Sequence, residues 1–330
     1  MTRQTTIIDA ETIAGAFTMA DYVATVEEAF CLCGRGEVQM PPKLYLTFPQ
    51  GDLRCMPVCI PNMNTAGVKN VNVHPGNTDL PTVMATITLI DPETGFPLAI
   101  MDGTHITRMR TGAAGGVAAK YLSRENSRTA AFIGAGAQAQ TQLAALLVTR
   151  PAIEKVIACD IRREHLEHFV EIVRSTHGRE VLCTPSIQQA AEHADILVTT
   201  TTVRVPVVHN DWIKPGTHIN AIGADAPGKQ ELDPAILNRA IVVVDNWEQA
   251  SHSGEINVPV SHGLLTRDDI HADIGQIVCG AKPARQTEDE ITVFDSTGLA
   301  VQDISAATAI YRKLTADQNT VGRLTHFKFF

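Results

Sequence analysis

Gly134, Gly136 and Ala139 form the pattern G-x-G-x-x-A between a short apolar run and a helical run. In this pattern the first glycine permits a tight turn, the second lets a pyrophosphate approach the backbone, and the small third residue lets the helix pack on its strand. Unpaired N–H groups at the helix start, together with the helix dipole, favour an anion. The pattern predicts a dinucleotide site, with Gly134, Gly136, Ala137 and Gln138 against the cofactor.

An acidic residue stands where the ribose of such a cofactor is expected. Asp160 ends a second predicted strand, 155–160, and lies 21 residues after Ala139. A carboxylate at about this spacing accepts hydrogen bonds from the ribose hydroxyls and repels a 2′-phosphate. The sequence therefore predicts NAD as the preferred cofactor, although Arg162 and Arg163 follow at once and would weaken the discrimination against NADP.

Four cationic side chains lie in or beside the predicted elements of the first 116 residues, at Lys43, Arg54, Lys69 and Arg110. Gathered together, they would bind the carboxylate of a substrate. The alternative is that they are solvated strand edges, where lysine commonly prevents unwanted pairing. Lys69 fits this alternative least, because it interrupts the otherwise apolar run 67–73. Crowding by the other cations and burial would both lower the pKa of Lys69 and make it a base near neutral pH.

Two further candidates follow predicted strands of the second half of the chain. Asp225 comes after the predicted strand 218–223, at the carboxyl edge where open α/β sheets bind ligands. It would exchange a proton or hold an ammonium group, or it would only cap a turn. Ser296 stands where the last predicted strand, 290–295, meets a helical tail, and it would either contact the cofactor or cap that helix.

Alternating strand and helix patterns from Phe132 onward predict a parallel sheet. The predicted strands are 129–133, 155–160, 180–184, 195–201, 218–223 and 241–245, and the predicted helices are 138–148, 162–176, 187–193 and 231–239. These elements fit one doubly wound Rossmann domain over residues 117–299.

The first hundred residues have a different pattern. A predicted helix at 19–33 is followed by five β-like runs, at 44–48, 53–59, 67–73, 82–90 and 96–101. Turn-forming sequences separate adjacent runs and indicate an antiparallel module. The helical tail 299–314 has apolar positions that suit this module better than a complete Rossmann sheet. The predicted fold class is α/β, with a discontinuous α+β domain of residues 1–116 and 300–330 beside the Rossmann domain.

Composition excludes several classes of function. The 330 residues suffice for about two domains, and the net charge of −9 argues against a nucleic-acid surface. The seven cysteines have no CxxC or zinc-like spacing, which indicates reduced thiols and no metal site. No apolar run approaches the ~18 residues of a membrane span, and no signal-peptide segment is present at the N-terminus. A soluble, cytoplasmic protein without membrane partners is predicted.

Taken in order, several motifs resemble the ornithine cyclodeaminase/mu-crystallin family. They are Met40-Pro41-Pro42-Lys43, Gly51-Asp52-Leu53-Arg54, Lys69 with Asn72 and His74-Pro75-Gly76-Asn77, Arg110-Thr111-Gly112-Ala113, Gly134-Ala135-Gly136-Ala137-Gln138, Asn220-Ala221-Ile222-Gly223-Ala224-Asp225, Pro227-Gly228-Lys229 and Phe294-Asp295-Ser296. Within the family the likeness is greatest to archaeal-type alanine dehydrogenases, at residues 40–43 and 223–232.

The resemblance implies a homodimer whose N-terminal modules pair, an NAD cofactor and the reversible oxidative deamination of L-alanine. It implies that Lys43, Lys69 and Arg110 hold the substrate carboxylate, with Arg54 beside them, and that Lys69 and Asp225 are the acid/base pair. The cofactor contacts expected from the motifs and the resemblance are Thr82, Arg110, Thr111, Gly134, Gly136, Ala137, Gln138, Asp160, Thr200, Thr201, Ile222, Gly223, Ala224, Lys229 and Ser296.

One position departs from part of the family. Ornithine cyclodeaminases carry a glutamate where this chain has Arg54, and a carboxylate suits a substrate with a second ammonium group, whereas an arginine repels it. The alternatives left open are a cyclic-imine reductase acting on pyrroline- or piperideine-2-carboxylate, an ornithine cyclodeaminase, and a crystallin-like binder of a nucleotide or hormone without enzymatic activity.

Overall fold

The computed structural model describes residues 4–316 and 324–328. The chain divides into two compact units, one of residues 1–110 and 299–330 and the other of residues 111–298. The boundaries expected from the sequence, 116/117 and 299/300, lie within six residues of these. The first unit is therefore assembled from two stretches of chain that are separated by the whole of the second.

The first unit contains a seven-stranded sheet. Its strands, numbered along the chain, are β1 (Thr5–Ile8), β2 (Leu44–Phe48), β3 (Gly51–Ile60), β4 (Thr65–Val73), β5 (Val83–Ile90), β6 (Pro97–Asp102) and β15 (Thr325–Phe327), in the order β15-β1-β6-β5-β4-β3-β2. The five predicted runs pair antiparallel, as expected. The sequence pattern does not predict β1 or β15. Because β1 pairs parallel with β6 and antiparallel with β15, the sheet is mixed.

The helices of the first unit are α1 (Ala10–Ala16), α2 (Met19–Gly34), the first part of α3 (Thr104–Leu122) and the tail helix α11 (Ala300–Ala316). Of these, α11 packs on β3, β4 and β5, α1 packs on β6, and α2 packs on α11. A capping box between Thr18 and Asp21 starts α2. Gly67 of β4 lets α11 come close, because a Cβ there would lie 2.9 Å from Cδ1 of Ile304. The tail helix thus packs on the first unit, as its apolar pattern predicts.

The second unit contains an eight-stranded sheet. Its strands are β7 (Thr129–Ile133), β8 (Lys155–Cys159), β9 (Val181–Cys183), β10 (Ile196–Thr199), β11 (His218–Ala221), β12 (Ile241–Val244), β13 (Ala272–Asp273) and β14 (Thr292–Asp295), in the order β13-β12-β14-β11-β10-β7-β8-β9. All recorded pairings are parallel. The chain winds outward from β7 in both directions, so a crevice is expected where β7 meets β10. The predicted fold class is confirmed.

The helices of the second unit are α4 (Ala137–Thr149), α5 (Arg163–His177), α6 (Ile187–His193), α7 (Pro234–Leu237), α8 (Trp247–Ser253), α9 (Asn257–Ser261) and α10 (Ile274–Val278), besides the rest of α3. The predicted helix 231–239 is wrong over most of its length. Asp233 caps the amide of Ala235 and Pro234 takes the first helical position, so the helix is only a single turn. The strands predicted at 195–201 and 218–223 end two residues early, at Thr199 and Ala221.

Within residues 4–316 and 324–328, no helix has the length and apolar character needed to cross a membrane. Over the same residues, no group of three or more His, Cys, Asp or Glu side chains is arranged to hold a metal ion. The cytoplasmic location stays a prediction.

Candidate functional site

Two of the predicted cations share one face of the first unit's sheet. Lys69 of β4 lies opposite Met56 of β3, and Arg54 lies opposite Val71, so the four side chains point to the same side. That side faces the interior, where Lys69 is fully buried and Arg54 nearly so. The apolar run around Lys69 therefore buries an amine, as its sequence context indicates.

A buried carboxylate that sequence reasoning missed joins two of the cations. Asp303 of α11 places Oδ2 2.6 Å from Nζ of Lys69, and its Oδ1 accepts a hydrogen bond of 2.9 Å from Nε of Arg110. Arg110 also donates from Nη1 to Gln302 at 2.8 Å. An acid in the first turn of an apolar helix needs a cationic partner when buried, and that was the available signal.

The environment of Lys69 makes it a base near neutral pH. Burial and the positive charge of Arg110 lower its pKa from 10.5 to about 7, and Lys43 adds to this effect. The carboxylate of Asp303 opposes the fall. The direction agrees with the effect expected from the sequence, and it favours the neutral amine that a base requires.

Arg54, Lys43 and Thr82 complete the predicted residues of the first unit. Arg54 donates to Asp52 from Nε at 2.8 Å and from Nη2 at 3.2 Å, and its guanidinium lies 5.6 Å from the ring centre of Tyr45. Asp52 thus orients the guanidinium of Arg54 from the same strand. Lys43 is half-buried just before β2, and Thr82 is exposed just before β5. The structure thus brings Lys69 and Arg110 to one carboxylate, with Lys43 near enough for its charge to act on Lys69. Thr82 accepts the amide of His74 through its carbonyl.

The glycine turn of the second unit has the features expected of a pyrophosphate site. Gly134 has a φ of +93°, and a Cβ there would lie 2.9 Å from Oγ1 of Thr200, which donates to the Gly134 carbonyl at 3.0 Å. Gly136 faces open space, because a Cβ on it would meet nothing within 4 Å. No side chain caps α4, which begins with Ala137 and Gln138. The helix start is therefore accessible to an anion.

Asp160 lies directly beside this turn. Its Oδ2 accepts the amide of Ala135 at 2.8 Å, and its Oδ1 accepts the amide of Arg162 at 2.8 Å. Burial opposes ionisation, but these two amides and His165 outweigh it and lower the pKa of Asp160. Asp160 is thus an anion fixed at the end of β8, with Oδ2 also 3.3 Å from Nδ1 of His165.

The remaining predicted cofactor residues lie just past the carboxyl ends of β10, β11 and β14, which are neighbours in the sheet. They are Thr200, Thr201, Ile222, Gly223, Ala224 and Ser296. Ser296 is buried, and its hydroxyl has no hydrogen-bond partner in the part of the chain that the structure describes. Thr111, on α3, accepts the side-chain amide of Gln142 through its carbonyl at 2.9 Å. One sheet edge therefore carries nearly all of these residues.

Asp225 occupies the loop after β11, together with Lys229. Nζ of Lys229 donates to Oδ1 of Asp225 at 2.5 Å, and the Asp225 side chain keeps 31% of its surface exposed. The carboxylate is thus partly open to solvent while its neighbour holds it in place. This environment is compatible with proton exchange, and it ties the predicted catalytic and cofactor residues of the loop to each other.

The residues present in the second unit fit a dinucleotide. An uncapped helix start, a glycine facing open space and an unpartnered buried hydroxyl are features that protein groups alone leave incomplete. They lie along the carboxyl edge where Rossmann sheets bind dinucleotides.

Comparisons with known proteins agree with this arrangement. The alanine dehydrogenase of Archaeoglobus fulgidus is 50% identical over 329 residues, which is 99% of each chain. The solved structure of an archaeal alanine dehydrogenase dimer with bound NAD has a TM-score of 0.94 and 48% identity, and the match covers 99% of this chain and 100% of that one.

A second solved relative has a different activity. The Thermococcus litoralis Delta(1)-pyrroline-2-carboxylate reductase, in complex with NADH and L-proline, has a TM-score of 0.91 and 38% identity. The match covers 94% of this chain and 98% of that one. A model of the ornithine cyclodeaminase/mu-crystallin family matches residues 3–318. The motifs, the fold and these matches agree, and the chain belongs to the ornithine cyclodeaminase/mu-crystallin family.

Proposed function

We propose that this protein is an NAD-dependent L-alanine dehydrogenase. The reaction converts L-alanine, water and NAD⁺ reversibly into pyruvate, ammonium, NADH and a proton. The observation that carries the proposal is the buried cluster in which Asp303 joins Lys69 to Arg110, because it combines a carboxylate-binding cation with a base of pKa about 7. The relatives that cover nearly the whole chain support the choice of alanine.

The wider class of activity is firm. The chain is an oxidoreductase that uses NAD and acts on amino or imino acids, as do its relatives with stated activities and bound NAD or NADH. The glycine turn would hold the pyrophosphate, Asp160 the ribose, and the residues after β10, β11 and β14 the nicotinamide half. When bound, NAD accepts the hydride that leaves Cα of the substrate.

The protein's own groups bind the substrate and move protons. Arg110 and Lys43 hold the substrate carboxylate, with Arg54 adding positive charge. Lys69 in its neutral form takes a proton from the substrate ammonium, and Asp303 stabilises the ammonium form of Lys69 that results. Asp225 exchanges a proton with the water that attacks the substrate imine.

A cyclic-imine reductase is the second candidate. Reduction of pyrroline- or piperideine-2-carboxylate needs the same carboxylate clamp, and the Thermococcus relative carries that activity. Ornithine cyclodeaminase is less favoured, because Arg54 is buried on the same sheet face as Lys69 and would repel a second ammonium group. We also propose that the chain forms a homodimer, as the archaeal relative does.

The absorbance of the reduced cofactor, followed with purified protein, separates the candidates. Alanine with NAD⁺ should produce NADH and pyruvate in equal amounts. Consumption of NADH or NADPH with a cyclic imine, but no turnover of alanine, would replace the proposal with the reductase. Proline and ammonia from ornithine without net NADH would replace it with the cyclodeaminase. Sedimentation of the same sample reports whether the protein is a dimer.

A further inference from the structure

Glu231 is a fully buried acid that the sequence pattern assigns to the start of a helix. The structure instead uses its carboxylate as an acceptor for four hydrogen bonds. Oε1 accepts the amide of Thr201 at 2.6 Å and its hydroxyl at 2.7 Å. Oε2 accepts the hydroxyl of Thr199 at 2.7 Å and the amide of Gly223 at 2.9 Å. All four donors lie at the ends of two strands.

These hydrogen bonds join the carboxyl ends of adjacent strands. Thr199 is the last residue of β10, and Gly223 lies two residues past β11, the neighbouring strand. Gly223 leaves room for the carboxylate, because a Cβ there would lie 2.6 Å from Cδ of Glu231. The backbone amides that would otherwise be unpaired in this edge are thus satisfied by one side chain.

The same side chain closes the loop that carries Asp225. This loop starts at Gly223 and returns to Glu231, so the hydrogen bond from the Gly223 amide connects its two ends. Inside the loop, Lys229 fixes Asp225 through their ion pair. The position of the Asp225 carboxylate relative to Thr201 therefore depends on Glu231, although Glu231 itself lies in the interior and offers no exposed surface.

A second buried acid holds the backbone of Glu231. Glu255 accepts the amide of Glu231 at 3.0 Å and that of Leu232 at 2.7 Å. Burial, followed by the negative charge of Glu231, raises the pKa of Glu255 well above its usual value. Burial also raises the pKa of Glu231, and its hydrogen bonds from Thr201, Thr199 and Gly223 oppose that rise.

We propose that Glu231 is a positioning residue, which fixes the Thr200-Thr201 segment and the Asp225 loop relative to each other for reaction at the nicotinamide half of the cofactor. The inference rests on the proposed function only in assigning these loops to the reaction. The glycine turn and Asp160, which would hold the adenosine half, make no hydrogen bond to Glu231. The glycine turn meets this segment at Thr200, whose amide donates to Ile133 and whose hydroxyl donates to Gly134, and neither hydrogen bond involves Glu231. Loss of the hydrogen bonds to the Glu231 carboxylate should therefore impair turnover without weakening the binding of the adenosine half of the cofactor.

The test is Glu231→Gln in the full-length protein. Glutamine has one acceptor oxygen, so its side-chain NH₂ group must face either the Gly223 amide or the Thr201 amide. That backbone amide then loses its acceptor, and the strand end that carries it is released. We expect kcat to fall by about 10- to 100-fold, since a misplacement of about 1 Å has an effect of that order. The affinity for ADP-ribose should stay within about twofold, whereas the emission of bound NADH should shift toward that of free NADH.

The matched control is Asp195→Asn. Asp195 also accepts two backbone amides, those of Arg128 at 2.9 Å and Thr129 at 3.0 Å, but it lies at the amino end of β10. This variant should lose thermal stability while keeping wild-type kcat and NADH emission. If Glu231→Gln behaves in the same way, Glu231 is a structural residue only, and the inference is overturned.

A second variant covers the case in which Glu231→Gln does not fold. Thr199→Val removes one donor to Glu231 from the end of β10 and keeps the side-chain shape. We expect kcat to fall several-fold and NADH emission to shift partway, and unchanged values would overturn the inference. Because NADH emission needs no amino acid, this readout stays valid even if the wild-type protein fails to oxidise alanine, which would contradict the proposed function alone.

Discussion

In the first unit, the charged groups of the candidate site come from distant parts of the chain. Lys69 and Asp303 are 234 residues apart, and Arg110 reaches the same carboxylate from a third segment. In the second unit, nearly all the predicted cofactor residues lie next to the strands that position them, along one edge of the sheet. The two units therefore differ in how they would contribute. In the first unit, burial shifts the pKa of a charged side chain, whereas the second unit places backbone groups at the ends of its strands.

Lys69→Ala should lower turnover more than any of the variants described below. Turnover should fall by about 10⁴-fold, at the upper end of the range for an acid/base group, because Lys69 would be the base that takes the proton of the substrate ammonium. NADH affinity, followed by fluorescence titration, should stay within about twofold if the two units work separately. The control is Lys155→Ala at an exposed position. Near wild-type turnover would reduce Lys69 to a buried strand residue.

Asp225→Asn tests the second unit in the same way. The change keeps size and some hydrogen bonding to Lys229 but removes the ability to take a proton. If Asp225 does acid/base work, kcat should fall by about 10²- to 10⁴-fold, with little change in thermal stability or NADH affinity. A variant with full activity would show that Asp225 only stabilises its turn, and Lys69 would remain the sole acid/base candidate.

The pH dependence of alanine oxidation tests whether Lys69 of the first unit is the base. The pKa of Lys69 is lowered from 10.5 to about 7, so its neutral, basic form is lost as pH falls through 7. The rate should therefore rise between about pH 6 and 8. Asp303→Asn removes the negative charge that opposes this lowering, and it should move the inflection to lower pH. A profile without an inflection in this range, or one displaced to higher pH, would contradict the assignment.

Asp160→Ser should have the smallest effect of the four. The change removes the charge that repels a 2′-phosphate, so the ratio of kcat/KM for NAD over NADP should fall by about tenfold. Glu154→Ser, at an exposed acid just before the same strand, should leave the ratio unchanged. A wild-type preference for NADP would show that Asp160 only fixes the glycine turn through the Ala135 amide.

Much of the second unit could be predicted because its signals are local. Gly134, Gly136 and Asp160 belong to short strand-turn-helix segments whose residue types reflect their own backbone needs. The helix prediction at 231–239 failed because the side chain of Glu231 is buried at two strand ends, where it accepts hydrogen bonds from Thr199, Thr201 and Gly223. These partners depend on the order of strands in the sheet. The strands predicted at 195–201 and 218–223 were each too long at the carboxyl end, because the chain turns into a loop of the candidate site after Thr199 and after Ala221.

The first unit was harder to predict for a physical reason. The isolated charge of Lys69 indicated a buried cation, but nothing near it in the sequence identifies Asp303 as its partner. Likewise β1 and β15 are short strands that exist only because each has a neighbour to pair with. Long-range pairing of this kind leaves no periodic pattern in either segment.

Because the first unit consists of two separated stretches of chain, synthesis from the N-terminus determines which unit can fold first. Arg110 leaves the ribosome 193 residues before Asp303, an interval of about 10–40 s at 5–20 residues per second. Residues 111–298 emerge during that interval, so the second unit has its whole sequence available while the first lacks α11. Lys69 and Arg110 stay solvated in the nascent chain meanwhile, and the sequence of the second unit is complete before α11 can bury them.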